Sequence, residues 1–363
     1  MSSAADHDFM ARALRLAELG LYSTTPNPRV GCVIVKDGRV VGEGWHRKAG
    51  EVHAEIHALQ AAGNAARGAT AYVTLEPCSH HGRTPPCAEA LISAGVARVV
   101  AAMQDPNPQV AGRGLAMLSE AGIVAECGLL EDDARELNIG FVSRMTRGRP
   151  WLRMKMAASL DGKTALENGV SQWITGAAAR QDGHRWRARA CAILSGIGTV
   201  RDDDPQLNVR GVETARQPLK VVVDSRLELP LQAKLLRGGG VLVATASEDA
   251  GKAAALRQQG AEIVCLPNAD GRVDLPALLQ ELGRRGVNEL HVEGGFRLNG
   301  ALLAAGLVDE LLLYLAPCFI GDVARGMFDL PGLESLADKH RLIVRDLRML
   351  GADIRVLGRF ASS

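Results

Sequence analysis

Apolar residues Phe9, Ala13, Leu16, Ala17 and Leu19 recur at helical spacing, which predicts an amphipathic helix over 8–20. "TTPNPRV" follows, and its prolines force an extended entry into the next element. That element is a pair of β-rich runs in "RVGCVIVKDGRVVGEG", split by Asp37-Gly38, a dipeptide suited to a tight hairpin turn. The pattern then predicts a helix over 53–62, a strand over 71–75, a helix over 87–94 and a strand over 96–103. A helix near 114–121, a short strand over 123–127 and one long helix from 131 to about 145 complete an αββαβαβαβα unit of ordinary domain size.

"TRGRPW", 146–151, interrupts that rhythm with basic residues, glycine and proline. Beyond it the pattern predicts strands over 151–157, 192–195, 219–223, 240–244, 262–266, 289–292 and 310–315, with helices between most of them. A hairpin around Gly351 closes the chain. The expectation is an α/β protein of two domains, 1–147 and 148–363, and 363 residues suit two hydrophobic cores better than one.

Composition adds exclusions. Hydrophobic content of 47% and charged content of 23% are those of an ordinary globular chain. The net charge of +1 gives no broad basic field, so no nucleic-acid partner is expected. The N-terminus lacks a basic stretch followed by an apolar one, and no apolar run is long enough to span a membrane, which points to a cytoplasmic protein with no membrane partner. Cys32, Cys127, Cys191, Cys265 and Cys318 lie singly and are expected to be buried, reduced thiols.

The chemistry concentrates in "EVHAEIHAL" and "EPCSHHGRTPPC". His53 and Glu55 can face one site only if His53 stands at the helix start, before the geometry becomes regular; His57 reads as a packed helix residue. Cys78 follows a strand and Cys87 precedes a helix, where backbone amides favour thiolates. One imidazole and two thiolates make a three-ligand zinc site with a fourth position open to water, and a non-ligand carboxylate beside it is a proton shuttle. The order H-x-E then P-C…C is a zinc-deaminase signature, although eight residues rather than two separate these cysteines. Two alternatives stand beside it. One is a Cys78–Cys87 disulfide, disfavoured in a reducing compartment. The other is a structural zinc completed by His80 or His81, which leaves Glu55 without a role.

In the second half, "AASLDGKT" lacks the first glycine of a phosphate-binding P-loop, and "GIGTVR" has Arg201 where a dinucleotide fingerprint needs glycine. "HVEGGFRLNGALLAAG" is more informative: a strand ends at Val292, two glycines follow, and a helix begins near Leu298, so free amides can cradle a phosphate.

"TPNPRVGCVIV", "GWHRKAGEVHAEIHAL", "LEPCSHHGRTPPC" and "DPNPQVAGRG", with "KMAASLDGKTA", "SQWITG" and "GIGTVRDDDPQLNVR", closely resemble the bifunctional riboflavin-biosynthesis deaminase–reductases over nearly the whole chain. The resemblance implies a cytidine-deaminase-like three-layer domain followed by a dihydrofolate-reductase-like α/β domain. It implies one zinc ion held by His53, Cys78 and Cys87, with Glu55 moving protons during deamination of a phosphoribosylaminopyrimidine. It places Ala157, Trp173, Thr199, Asp203 and the run Gly295, Phe296, Arg297, Leu298, Asn299, Gly300 and Ala301 against NADPH. Ser171, Arg187, Leu207, Arg210 and Glu293 match substrate positions in the reductase, and the two arginines suit the substrate phosphate. Asn27, His46, His81 and Arg83 flank the metal motif and are candidates for the ribose phosphate in the deaminase. A homo-oligomer, dimer or tetramer, is also implied. The competing readings are a nucleic-acid base deaminase, opposed by the neutral charge and the second domain, and a non-catalytic protein with a structural zinc.

Overall fold

Ser3 and Asp6 form a reciprocal capping box, so the first helix, α1 (Ala4–Glu18), begins earlier than the apolar spacing alone predicts. The computed structural model describes residues 3–80, 85–108 and 110–360. Its contacts divide into two units, Met1–Gly148 and Arg149–Ser363.

In the first unit, β1 (Gly31–Lys36) and β2 (Arg39–Trp45) form the expected hairpin, with Asp37 and Gly38 both at positive φ. Then come α2 (Ala54–Ala62), β3 (Thr70–Val73), α3 (Cys87–Ala94), β4 (Arg98–Ala101), α4 (Arg113–Glu120) and β5 (Val124–Cys127). The sheet order is β2-β1-β3-β4-β5, antiparallel across β1 and parallel from β3 to β5. Glycines set the approach of α2 to this sheet. A Cβ at Gly42 would lie 2.2 Å from the Ala58 carbonyl oxygen, and one at Gly44 would lie 2.4 Å from the His57 Cβ. Both glycines face α2, while Gly31, on the other face, lets α1 approach as closely. The result is helix, sheet and helix around one aliphatic core.

The long helix expected from 131 breaks at Asn138 into α5 (Glu131–Leu137) and α6 (Ile139–Arg147). The buried Asn138 side chain accepts from the Arg29 amide at 2.8 Å and donates to the Arg29 carbonyl at 2.9 Å. Tying down a distant extended segment therefore overrides helix continuity.

The second unit runs β6 (Trp151–Ser159), β7 (Lys163–Ala165), α7 (Ala177–Arg189), β8 (Ala192–Gly196), α8 (Ile197–Asp203), β9 (Leu219–Val223), β10 (Val241–Thr245) and α9 (Ala250–Gln258). It continues with β11 (Ala261–Cys265), α10 (Leu275–Arg284), β12 (Glu289–Val292), α11 (Phe296–Ala304), β13 (Glu310–Ala316), β14 (Arg325–Gly326), β15 (Leu342–Leu350) and β16 (Asp353–Phe360). Nine strands form one sheet in the order β11-β10-β9-β8-β12-β6-β13-β16-β15. Strands β11 through β13 are parallel, and the closing hairpin β15–β16 adds antiparallel. The short β7–β14 pair was not legible in the residue pattern.

One expectation about cysteines is corrected. Cys32 and Cys191 are buried and Cys318 is half-buried, but Cys127 and Cys265 are exposed, because each of these two ends a strand at the edge of its sheet. Among the described residues, no helix is long and apolar enough to cross a membrane.

A charged group sits in the middle of the second sheet. Arg153 of β6, 2% exposed, pairs with Glu310 at 2.5 Å and Glu289 at 3.0 Å, and its guanidinium lies 4.3 Å from the Trp186 ring centroid. Removing it would leave buried carboxylates short of a cation. Arg153→Met is expected to destabilise the second unit by about 3–5 kcal/mol, read from denaturant unfolding by the fluorescence of Trp151, Trp173 and Trp186. Gly44→Ala is expected to cost about 1–3 kcal/mol, because α2 must move off the hairpin. Urea titration followed by circular dichroism measures the loss.

Candidate active sites

The first site forms where two helices begin. His53 is the N-cap of α2, with extended backbone (φ −77°, ψ 166°), and Glu55 lies in the first helical turn. The irregular position of His53 lets two residues so close in sequence face one place. Cys87 is the first residue of α3, and Cys78 lies in the segment after β3, tied to α3 by the Ala88 amide donating to the Cys78 carbonyl at 3.2 Å. His53 Nδ1 lies 3.2 Å from Cys87 Sγ and 3.6 Å from Cys78 Sγ, and all three ligating atoms fall within 4.8 Å of one another. One nitrogen and two sulfurs so placed fit a zinc ion. A hydrogen bond with Cys87 holds the Cys78 thiol well below the usual thiol range, and the same bond with burial pushes Cys87 up.

Glu55 is buried and stays outside the ligand set. Burial pushes its carboxyl up to about 7, with His53 partly opposing the shift. A carboxyl so tuned can both accept and release a proton near neutrality.

The ligands have supports that sequence reasoning missed. Glu76, 3% exposed, accepts four backbone amides: Asp105 at 3.1 Å and Gly112 at 2.9 Å on one oxygen, Gly114 at 2.8 Å and Leu115 at 3.3 Å on the other. This clasp fixes the Pro77-Cys78 segment against α4. A Cβ at Gly114 would lie 1.9 Å from the Pro77 carbonyl oxygen. The only local signal was a glutamate preceding Pro-Cys; the amides come from a loop and the first turn of α4, some thirty to forty residues onward. His46 meets the His53 ring edge-on, with centroids 5.4 Å apart. Its Nδ1 donates to the Val52 carbonyl at 3.2 Å, which leaves Nε2 to accept from Asn27 Nδ2 at 3.1 Å. Asn27 and His46 thus brace the site together. His80 is exposed and outside the ligand cluster; His81 and Arg83 lie outside the described residues.

The second unit holds a cavity of about 700 Å³ bordered by the ends of its parallel strands. Ala157, Ser171, Trp173, Thr199, Asp203, Leu207, Arg210, Glu293, Gly295, Phe296 and Asn299 line it, as does Arg187. Four residues of the anticipated cofactor run do not. Leu298 packs toward Gly196 and Gly294, Gly300 lets α11 pass the Asp329 backbone (a Cβ would lie 2.0 Å from its oxygen), and Arg297 and Ala301 are exposed. The helical period turns these side chains away, since seven consecutive side chains on a helix cannot share one face, while the amides of Arg297 and Leu298 stay in the open first turn of α11. Gly295 caps α11 without any side-chain hydrogen bond, and the buried Asn299 Oδ1 beside it has no partner. A glycine-lined helix start with an idle buried acceptor fits the phosphates and ribose hydroxyls of a dinucleotide.

Charge in this cavity is organised around Glu293. Arg187 Nε donates to Glu293 Oε1 at 2.5 Å and its Nη2 to Oε2 at 2.7 Å, while Nη1 donates to the Asn208 carbonyl at 3.0 Å. Burial alone would raise the Glu293 carboxyl, but Arg187, with His291 and Lys155, holds it well below the usual range. Ser171 Oγ donates to Asp203 Oδ1 at 3.2 Å, joining two anticipated positions. Lys155, which sequence reasoning missed, also lines the cavity, and burial lowers its pKa.

Residues 3–103 match the family model described as the cytidine and deoxycytidylate deaminase zinc-binding region, and residues 150–356 match the RibD C-terminal domain. The chain is 50% identical over 362 residues to the riboflavin biosynthesis protein RibD of Escherichia coli (strain K12), covering 96% of this chain and 98% of that protein. It is 42% identical over 352 residues to RibD of Bacillus amyloliquefaciens, covering 96% and 94%. The solved structure of Acinetobacter baumannii RibD, form 1, superposes with a TM-score of 0.93 at 46% identity over 99% of each chain. A Thermotoga maritima structure described as a diaminohydroxyphosphoribosylaminopyrimidine deaminase/5-amino-6-(5-phosphoribosylamino)uracil reductase gives 0.88 at 33% identity, covering 98% of this chain and 99% of that one. With a deaminase region and a reductase region matched in this order along its length, the chain belongs to the RibD family of bifunctional riboflavin-biosynthesis deaminase–reductases.

Proposed function

We propose that the chain catalyses two successive reactions: hydrolytic deamination of 2,5-diamino-6-(5-phosphoribosylamino)pyrimidin-4(3H)-one in its first unit, then NADPH-dependent reduction of the ribosyl group to ribityl in its second. The observation that carries the first reaction is the convergence of His53 Nδ1, Cys78 Sγ and Cys87 Sγ beside a buried carboxyl that is not a ligand. Zinc, when bound, supplies a Lewis acid at the reacting water. Glu55 takes a proton from that water and delivers protons to the ring nitrogen and the departing ammonia. A four-ligand structural site completed by His80 is disfavoured, because His80 is exposed and stands apart from the cluster among the described residues, and any four-ligand site would leave the buried Glu55 without a role.

In the second unit, Gly295, Phe296, Asn299, Thr199, Ala157, Trp173 and Asp203 hold the cofactor, with the free amides at the start of α11 taking its phosphates. NADPH, when bound, supplies the hydride. Glu293, fixed as an anion by Arg187, accepts from ribose hydroxyls, and Ser171, Leu207 and Arg210 complete the substrate wall. Lys155 is the cavity group suited to give a proton to the oxygen released as the ribose ring opens.

The chain assembles as a homo-oligomer through β15, the outermost strand of the second sheet. A bulge after Val344 puts Val344, Leu347 and Met349 on one face, 53%, 64% and 58% exposed, continuous with Leu342, Val356 and Phe360, which are half-buried against the core. An apolar edge of this kind is unfavourable unless covered, and a second copy of the same strand covers it symmetrically.

Three outcomes test these statements. Glu55→Gln should retain zinc by metal analysis and lose deamination by about 10³-fold, while NADPH oxidation with the deaminated pyrimidine continues; surviving deamination removes Glu55 from its role. Chelation of the metal should stop ammonia release and spare the reductase assay. Leu347→Glu should shift the light-scattering mass toward that of one chain; an unchanged assembly places the interface elsewhere.

A further inference from the structure

We infer that His184 is a further substrate-binding residue of the second unit, donating its Nε2–H to the phosphate of the phosphoribosyl substrate. The inference rests on the reductase reading above. His184 lies on α7 one turn before Arg187 and forms part of the cavity wall. Its Nδ1 accepts the backbone amide of Arg210 at 3.2 Å. An imidazole with Nδ1 committed as an acceptor carries its single proton on Nε2, so the ring presents a donor.

The charge around it selects the ligand. Burial first, then Arg187 and Arg210, push His184 down to about 4, so it remains neutral at working pH. Lys155 adds a third cation to its surroundings, and Glu293 is the anion among these neighbours. Both Glu293 oxygens are already engaged by Arg187. The remaining demand of this corner is for a dianion, and the substrate's phosphate monoester is the group that meets it. A neutral donor suits the position because it adds a directional hydrogen bond without another buried charge.

A purely structural role would be to hold the 208–211 segment. Gln181 Nε2 already donates to the Gly211 carbonyl at 2.6 Å, and Arg187 Nη1 to the Asn208 carbonyl, so that segment has two other anchors on the same helix. The two roles separate by substitution. Asn at 184 keeps an acceptor near the Nδ1 position and loses the donor at Nε2. Gln keeps a donor near Nε2 and loses the acceptor.

The experiment is steady-state NADPH oxidation by the full chain with the deaminated pyrimidine, together with inhibition by ribose 5-phosphate. Circular dichroism and NADPH fluorescence titration check that both variants are folded. His184→Asn is expected to raise KM for the pyrimidine about tenfold, the worth of a hydrogen bond to a charged group, with kcat changed less than about twofold. Inhibition by ribose 5-phosphate should weaken by the same factor. His184→Gln should recover most of both losses. Equal KM values in the two variants, whether both normal or both raised, overturn the inference. A wild-type chain that fails to oxidise NADPH with this substrate sinks the reductase reading itself, and the inference with it.

Discussion

Backbone amides in the first turn of a helix have no partner within the helix, and both units of this chain leave such amides where chemistry is required. His53 caps α2, Cys87 opens α3 and Gly295 caps α11, and at none of the three starts does the N-cap residue's own side chain take up an amide. At α3 the Cys87 amide donates to Cys78 Sγ at 3.3 Å, which favours a thiolate ligand. At α11 the open amides face a cavity large enough for a dinucleotide. Each helix must also lie close to its neighbours for its start to reach the site, which is why Gly42 and Gly44 under α2, and Gly300 beside Asp329, leave no room for a Cβ.

Three carboxylates, two buried and one half-buried, show how environment assigns roles to one functional group. Glu76 is saturated by four amides and works as a fixed strut behind Cys78. Glu293 is locked as an anion by a bidentate arginine. Glu55 has neither arrangement. Burial dominates it and raises its pKa, which makes it the one of the three able to exchange a proton near neutrality. The same reasoning distinguishes the histidines: His46 is consumed as a brace for His53, whereas His184 has one nitrogen satisfied and the other free for a ligand.

Much of the fold was legible because hydrophobic period and turn chemistry act locally. The Asp37-Gly38 hairpin, the strands from Leu219 and Glu289 and the helix from Cys87 fall where the residue pattern puts them. Several of the misses trace to a partner distant in sequence. Asn138 breaks a continuous helical pattern because it binds the Arg29 backbone, 109 residues away. Cys127 and Cys265 are exposed because their strands lie at sheet edges, and strand order is invisible to a local pattern.

The sequence by itself singled out the candidate metal centre: a histidine, a glutamate two positions on, and two cysteines bracketing a loop admit few other uses. Its motifs also pointed to the family. Only the tertiary structure decided which residues face inward and what holds them. It left the side chains of Arg297, Leu298 and Ala301 out of the cavity wall and packed Gly300 against the Asp329 backbone, bound Arg187 to Glu293, and brought Glu76 beside the first site and Lys155 and His184 into the cavity wall. The physical reason is reach. Ligand type and local spacing belong to side-chain chemistry, whereas orientation and protonation depend on neighbours that arrive only when the strands are ordered in a sheet.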